Sequence, residues 1–212
     1  MSGVLRGSGD RIWVCVPRNK KAQKALAILR NQGVKIRFQF KSINEGKEPE
    51  TYMIWTKGDK TFEIHSPLSK YLSFSERDPQ EKKWKPAFGH SYCRDYAILA
   101  RFKFFKDPDD REGEFYFHYF IGGIRGLGTW GVGHFIDHYS SKLVRCALDN
   151  IEKDGSDNVQ MLLEVTYENF RITKVEDVSE REESFFKKRN TEKYIIKKLQ
   201  DHPDWIKKGV CA

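Results

Sequence analysis

The residues with the clearest chemical potential form a glycine-rich segment in the middle of the chain. Six of the fourteen residues over 120–133, FIGGIRGLGTWGVG, are glycine. An apolar strand is predicted before the segment and an amphipathic helix after it, and three glycines fit the pattern G-x-G-x-x-G. Backbone without Cβ atoms can bring its N–H groups against an anion, and a helix N-terminus adds unpaired donors. The predicted phosphate-binding residues of this segment are Gly122, Gly123, Arg125, Gly126, Gly128 and Thr129.

Two side chains of the segment support this prediction, and one alternative stays open. Arg125 can contact a phosphate or carboxylate through two N–H groups, and Thr129 can cap the helix or donate its hydroxyl. The alternative is that the glycines serve only tight packing between strand and helix. A dinucleotide-dependent redox enzyme is disfavoured, because the segment lies mid-chain and residues 151–157, where a strand should end in an acidic residue that holds the ribose, are predicted to form a turn.

The motif also carries a resemblance to a known family. Gly122-Gly123 followed by Gly126-Leu127-Gly128-Thr129 resembles the glycine-rich loops of Rossmann-like SLOG domains, named after LOG, Smf and DprA proteins. The resemblance implies a domain that senses a nucleotide or related ligand in prokaryotic signalling or defence, or one that processes nucleotides as a phosphoribohydrolase. In the hydrolytic members an acidic residue follows the Gly-Thr step, whereas Trp130 follows Thr129 here. The resemblance therefore favours ligand binding over hydrolysis.

A second loop is predicted to face the same ligand. Residues 12–16 form an apolar run closed by Pro17, and Arg18 and Asn19 follow it. Ligands of open α/β sheets bind outside the carboxyl ends of strands. We therefore expect this loop and the glycine segment to share one crevice, with Arg18 and Asn19 as further phosphate contacts.

Candidate catalytic residues are few. If the strands at 96–104 and 115–121 are neighbours, Asp95 lies near the glycine segment and can accept from ribose hydroxyls or act as a base; the alternative is a salt-bridge or turn residue. His90 is a second candidate in an irregular section. His134 and His138 lie four residues apart on the polar face of the predicted helix, without a third or fourth metal ligand, so no metal site is predicted.

The elements that position these residues predict an α/β fold. A strand at 12–16, a helix at 18–33 and a strand at 34–40 predict a βαβ unit. We expect a Rossmann-like mixed sheet with flanking helices, the second at 129–148. A β-rich insertion is predicted over 44–92, with a hairpin at 51–65. The domain prediction is a single unit over 1–178 and a charged, helical tail over 179–212.

Composition limits the function classes. The 212 residues carry 38 Lys and Arg against 30 Asp and Glu, a formal charge of +8. No membrane segment is predicted, the four cysteines show no paired spacing, and a cytoplasmic location is expected. Basic stretches at 18–41 and 181–198 contain interleaved phenylalanines, which favours nucleic-acid binding as one alternative. The tail is a candidate for homo-oligomer or protein contacts.

The leading functional prediction is a binding or sensing domain for a nucleotide or other phosphorylated small molecule. No cofactor is assigned beyond such a ligand. One alternative is a nucleotide-processing hydrolase or N-glycosidase, with Asp95 or a histidine as acid or base. The other is a nucleic-acid-binding accessory protein that uses the two basic stretches.

Overall fold

The described part of the chain contains a five-stranded central sheet, a three-stranded small sheet, a two-stranded sheet and three helices. The computed structural model describes residues 9–43, 50–66, 76–77, 84–85, 93–107, 113–154, 158–168 and 171–189. The elements are β1 (Arg11–Val14), α1 (Lys20–Asn31), β2 (Phe38–Ile43), β3 (Glu50–Lys57), β4 (Lys60–Ile64), β5 (Glu76–Arg77), β6 (Trp84–Lys85), β7 (Cys93–Phe105), β8 (Phe115–Gly123), α2 (Gly126–Asp154), β9 (Val159–Glu168), β10 (Arg171–Asp177) and α3 over 183–189.

The central sheet is mixed, as predicted. Its strand order is β1-β8-β7-β9-β10, with β1 parallel to β8 and every other neighbouring pair antiparallel. Because β8 and β9 both run antiparallel to β7, they are parallel to each other, and α2 connects them across the sheet. The α/β fold class is therefore confirmed.

The expected βαβ start is wrong. β2 does not join β1; it pairs with β3, which pairs with β4 in a separate antiparallel sheet. The residues of β2 alternate between apolar and polar, and a strand with one solvated face is typical of an antiparallel sheet rather than a buried parallel one. The hairpin of β3 and β4 agrees with the prediction, and Gly58 turns it with a φ of +58°.

Period-two alternation in β7 divides the core into two layers. Tyr96, Ile98 and Phe102 pack with α1 and the small sheet on one face. Ala97 and Leu99 pack with Val132 and Phe135 of α2 on the opposite face. The two long helices therefore cover opposite faces of the central sheet.

The apolar run at 12–16 is typical of a strand buried on both faces, but in the structure this strand is buried on one face only. β1 lies at the edge of the sheet, and α2 packs on β7, β8, β9 and β10. Trp13 is buried toward α1, whereas Ile12 is 67% and Val14 47% exposed on the other face. One side of β1 is therefore open.

The helices agree with their predictions in position, with different ends. α1 is shorter than predicted by two residues at each end, and α2 begins three residues earlier, at Gly126. Tyr139 interrupts α2 with non-helical dihedral angles. No helix in the described part of the chain has the length and apolar character to cross a membrane.

A C-terminal segment over 178–189 joins the two sheets. The Ser179 carbonyl accepts hydrogen bonds from Trp55 Nε1 at 3.1 Å and Arg37 Nη2 at 3.3 Å. Glu180 pairs with Arg37, and Phe186 of α3 stacks on Phe62 of the small sheet. α3 spans residues 183–189, and the remainder of the predicted helical tail, 190–212, lies outside the described residues.

Candidate functional site

The two predicted ligand loops meet at the carboxyl edge of β1 and β8. The Val16 N–H donates to the Ile121 carbonyl at 3.3 Å, which continues the parallel pairing past the end of β1. A Cβ atom on Gly122 would lie 2.9 Å from Pro17 Cδ, so the loops are in close contact. α1 leaves this edge on one face of the sheet and α2 on the other. The two loops therefore lie together at this edge, and the crevice that they were expected to share stays a prediction.

Asp95 lies at the glycine segment, and it binds the backbone there. Its Oδ2 accepts from the Gly128 N–H at 2.6 Å and the Arg125 N–H at 3.0 Å, and Oδ1 accepts from the Tyr96 N–H at 2.8 Å. The residue is completely buried. The carboxylate of Asp95 therefore occupies the N-terminus of α2 in the manner of an anionic cap.

Burial sets the acidity of this carboxyl group. Desolvation raises the pKa of Asp95 to about 6. Hydrogen bonds from the Gly128 and Tyr96 N–H groups, the Ser66 side chain and the Arg125 N–H oppose this shift because they stabilise the ionised form. Asp95 therefore holds the loop in position, and its predicted role as a base stays a prediction.

Other backbone donors of the segment are also engaged. The Gly123 N–H donates to Thr129 Oγ1 at 2.9 Å, and the Ile124 N–H donates to the Tyr96 carbonyl at 2.8 Å. Thr129 thus accepts a bond from the loop. Within the described residues, no hydrogen bond reaches the N–H of Gly126 or Leu127. These two amides are the donors that the segment leaves for a ligand.

The glycines divide into two groups by the space around them. A Cβ atom on Gly128 would lie 2.8 Å from both Asp95 Oδ2 and the Tyr96 carbonyl oxygen, and Cβ atoms on Gly123 and Gly131 would overlap their neighbours. Added Cβ atoms on Gly126 and Gly133 meet nothing within 4 Å. Close packing therefore accounts for the buried glycines, including Gly122, while Gly126 borders open space.

The loop after β1 has one capping residue and several cations. Asn19 Oδ1 accepts from the Lys21 and Ala22 N–H groups, each at 3.1 Å, and so caps α1. Arg18 is exposed, and Arg125 across the edge is half-buried. The Asn19 side chain, predicted as a phosphate contact, thus caps α1 instead. The Arg18 side chain lies on the surface.

The two basic stretches differ in their pairing. Arg18, Lys20, Lys21 and Lys24 are exposed, and no described carboxylate pairs with them. In the C-terminal stretch, Arg181, Lys187 and Arg189 form ion pairs with Glu176, Glu183 and Glu164, respectively. The first stretch therefore presents cations at the surface without described carboxylate partners, whereas three cations of the second stretch are paired.

The described histidines lie against other aromatic or imidazole rings. His134 and His138 stack on each other with ring centroids 4.0 Å apart, and His65 stacks on Tyr52. His90 lies outside the described residues. In the part of the chain that is described, no group of three His, Cys, Asp or Glu side chains could hold a metal ion.

A buried polar cluster near the same edge was missed in the sequence. Tyr96 Oη donates to Glu164 at 2.7 Å, and both Nε and Nη2 of Arg189 contact the Glu164 carboxylate at 3.1 and 3.2 Å. Alternation places Tyr96 and Glu164 on inward faces of their strands. Their pairing depends on the register of β7 with β9, which the sequence does not encode locally.

Taken together, the edge can bind an anion through two backbone amides and nearby guanidinium groups. The buried carboxylate of Asp95 holds the loop in place through hydrogen bonds to its backbone. Comparison of the chain with protein-family models, curated proteins and solved structures finds no match.

Proposed function

We propose that this chain binds a phosphorylated small molecule, such as a nucleotide, at the carboxyl edge of β1 and β8. The observation that carries the proposal is the arrangement of these strands: they are parallel neighbours, and the helices that follow them cover opposite faces of the sheet. In open α/β sheets such a switch in direction leaves a crevice in which ligands bind.

The electrostatics of this edge favour a negative ligand. The N-termini of α1 and α2 both point to it, and each carries partial positive charge. The unengaged amides of Gly126 and Leu127 supply donors, and the cationic side chains Arg18, Lys20 and Arg125 lie on the adjoining loops and helix ends. Because Asp95 neutralises part of the α2 terminus, the phosphate belongs on the outer side of the loop, at Gly126.

We propose that the chain binds this ligand without converting it. The segment has no acidic residue after Thr129, and the nearest carboxylate, Asp95, is fully buried and bonded to the backbone. A role as a ligand sensor in prokaryotic signalling or defence rests on the resemblance to SLOG domains alone. The hydrolase alternative requires a conformation that exposes Asp95 to the ligand.

The test is a thermal-unfolding panel of AMP, ADP, NAD, cyclic nucleotides and inorganic phosphate, followed by chromatography of the recovered ligand. A bound nucleotide at a hundredfold excess over Kd stabilises the protein by about 2.7 kcal/mol. Gly126→Val should weaken binding by at least about tenfold, a change of about 1.4 kcal/mol, because its side chain covers the donors.

Gly133→Val is the matched control, since it adds the same side chain to the same helix in equally open space. We expect this control to bind the ligand like the unmodified chain. Recovery of unchanged nucleotide supports a sensor, and conversion supports the hydrolase alternative. The proposal fails if no member of the panel stabilises the protein or if Gly126→Val binds normally.

A further inference from the structure

The face of the central sheet that carries α2 has an open region beside that helix. On this face, Arg101 pairs with Tyr119, Lys103 with Phe117 and Phe105 with Phe115 along β7 and β8. The alternate residues of both strands, such as Phe102 and Phe120, are buried on the opposite side. We call this region the aromatic face; its members are Arg101, Lys103, Phe105, Phe115, Phe117 and Tyr119.

The rings of the aromatic face form a connected group at the surface. Phe115 lies 5.5 Å from Phe117 and 6.4 Å from Phe105, measured between ring centroids. Phe115 is 42% exposed, and the other three rings are partly exposed. On the neighbouring edge strand, Ile12 extends the same face with an exposed apolar side chain. Contiguous exposed rings of this kind mark interaction surfaces.

Cations lie directly on these rings. Lys103 Nζ is 3.9 Å from the Phe115 centroid and 5.2 Å from that of Phe105, and Arg101 Cζ is 4.6 Å from that of Phe117. A surface made for an apolar protein partner is depleted of lysine at its centre. Rings interleaved with cations instead match a ligand that has flat bases and a phosphate backbone.

The acidic groups at the rim are partly engaged. Glu114 is paired with Lys106 at 2.7 Å, and Asp10 accepts from the Phe117 N–H at 2.8 Å. Asp107 is exposed at the end of β7. The centre of the face is therefore positive while its rim near the β7–β8 turn is acidic, which limits the number of phosphates that it can hold.

We propose that the aromatic face binds single-stranded nucleic acid. Bases stack on Phe115 and on the layer formed by Phe117 and Arg101, and Lys103 pairs with a phosphate. A single strand is the occupant because the bases of a duplex are already stacked within the helix and cannot reach rings that lie in a sheet. This surface is separate from the phosphate site proposed at Gly126 and from the cations of α1.

The experiment measures fluorescence anisotropy of a short labelled oligouridylate, with a duplex of equal length for comparison. Phe115→Leu keeps an apolar side chain but removes the ring, and we expect about a tenfold loss of affinity. Lys103→Glu should cause a comparable loss. The affinity should fall only modestly with salt, with a slope of about −0.7 for the one phosphate that pairs with Lys103.

Lys60→Glu is the matched control, because it makes the same charge change at an exposed position at the start of β4, outside the aromatic face and both basic stretches. We expect it to bind the oligonucleotide like the unmodified chain, and thermal unfolding checks that each variant is folded. Lys24→Glu tests the cations of α1, and loss of binding in that variant alone would move the nucleic-acid site to α1 and overturn the proposal. Preference for the duplex, or an absence of binding together with self-association through Phe115 in sedimentation, would also overturn it. If Phe115→Leu does not fold, Lys103→Glu decides the outcome.

Discussion

The N-termini of α1 and α2 meet the same electrostatic requirement in different ways. At α1, the adjacent residue Asn19 turns its neutral side chain onto two backbone N–H groups at the surface. At α2, Asp95 comes from another strand, 30 residues before Arg125, and its charged group is completely buried. A local cap makes a helix independent of the remaining fold, whereas a distant cap ties the helix to a particular strand register.

The largest expected difference between the two caps is in stability. Asp95→Ala leaves three N–H groups, two buried and one partly buried, without this acceptor, at a cost of about 1–3 kcal/mol for each buried group, while it relieves the desolvation of the carboxylate. We expect the free energy of unfolding to fall by about 3 kcal/mol. Urea denaturation measures this change, and a loss below about 1 kcal/mol would show that the bonds to Asp95 are dispensable.

The charge of Asp95 also predicts a pH dependence. Its folded-state pKa, about 6, lies above the ordinary value of 3.8, so its contribution to stability is greatest at low pH and is lost as the pH rises through about 6. Between about pH 4 and pH 7 this group should lower the free energy of unfolding by about 2 kcal/mol.

The variant Asp95→Asn isolates this effect. Burial lowers the pKa of His118 to about 4, so that residue adds stability as the pH rises from about 4 to 6.5 and opposes Asp95. Both proteins share His118, and the difference between their pH profiles reports Asp95 alone. Parallel profiles would contradict the raised pKa.

Gly128 tests the space under the α2 cap. A Cβ atom would press on Asp95 and on the Tyr96 carbonyl, so Gly128→Ala should reduce stability by about 1–3 kcal/mol. Gly126→Ala, in open space on the same turn, should change it by less than about 1 kcal/mol. Equal thermal stability of the two variants would be inconsistent with the packing. Gly128→Val, which the motif alone suggests as a ligand-blocking substitution, is therefore unsuitable for that purpose.

The smallest expected effect belongs to the local cap. Asn19→Ala should lower the free energy of unfolding by about 1 kcal/mol, since it removes one acceptor at a partly solvated helix end. Asn19→Ser should recover most of the loss because a hydroxyl can accept the same bonds. Thermal denaturation of both variants checks this expectation; a loss as large as that of Asp95→Ala would remove the contrast between the caps.

Local features of the molecule could be predicted from the sequence, whereas contacts between distant residues could not. The glycine segment between β8 and α2 was identified because its signal is contiguous, and the hairpin of β3 and β4 because its turn is local. Asp95 was placed near the loop on the condition that β7 and β8 are neighbours, but its burial depends on the opposite orientations of Asp95 and Tyr96. Pairing of residues so far apart is set by packing of the whole sheet.

The β2 error has a related cause. A strand after a helix is expected to return to the first sheet. The alternation at Phe38 and Phe40 favours an antiparallel strand, but it does not identify the strand with which β2 pairs. In the structure β2 pairs with β3, and Phe38 lies opposite Trp55. The Trp55 indole N–H in turn donates a hydrogen bond to the Ser179 carbonyl. That partner is 124 residues away, and no local pattern encodes it.

The segment over 178–189 completes the small sheet late in synthesis, because its residues are translated long after that sheet. The strands of the small sheet leave the ribosome long before Ser179, and translation at about 5–20 residues per second separates Trp55 from its acceptor by roughly 6–25 s. During that interval the indole and the Phe62 ring lack their final cover. We therefore expect a released chain truncated before Val178 to be more sensitive to protease than one truncated after Arg189, because only the longer chain covers Trp55 and Phe62.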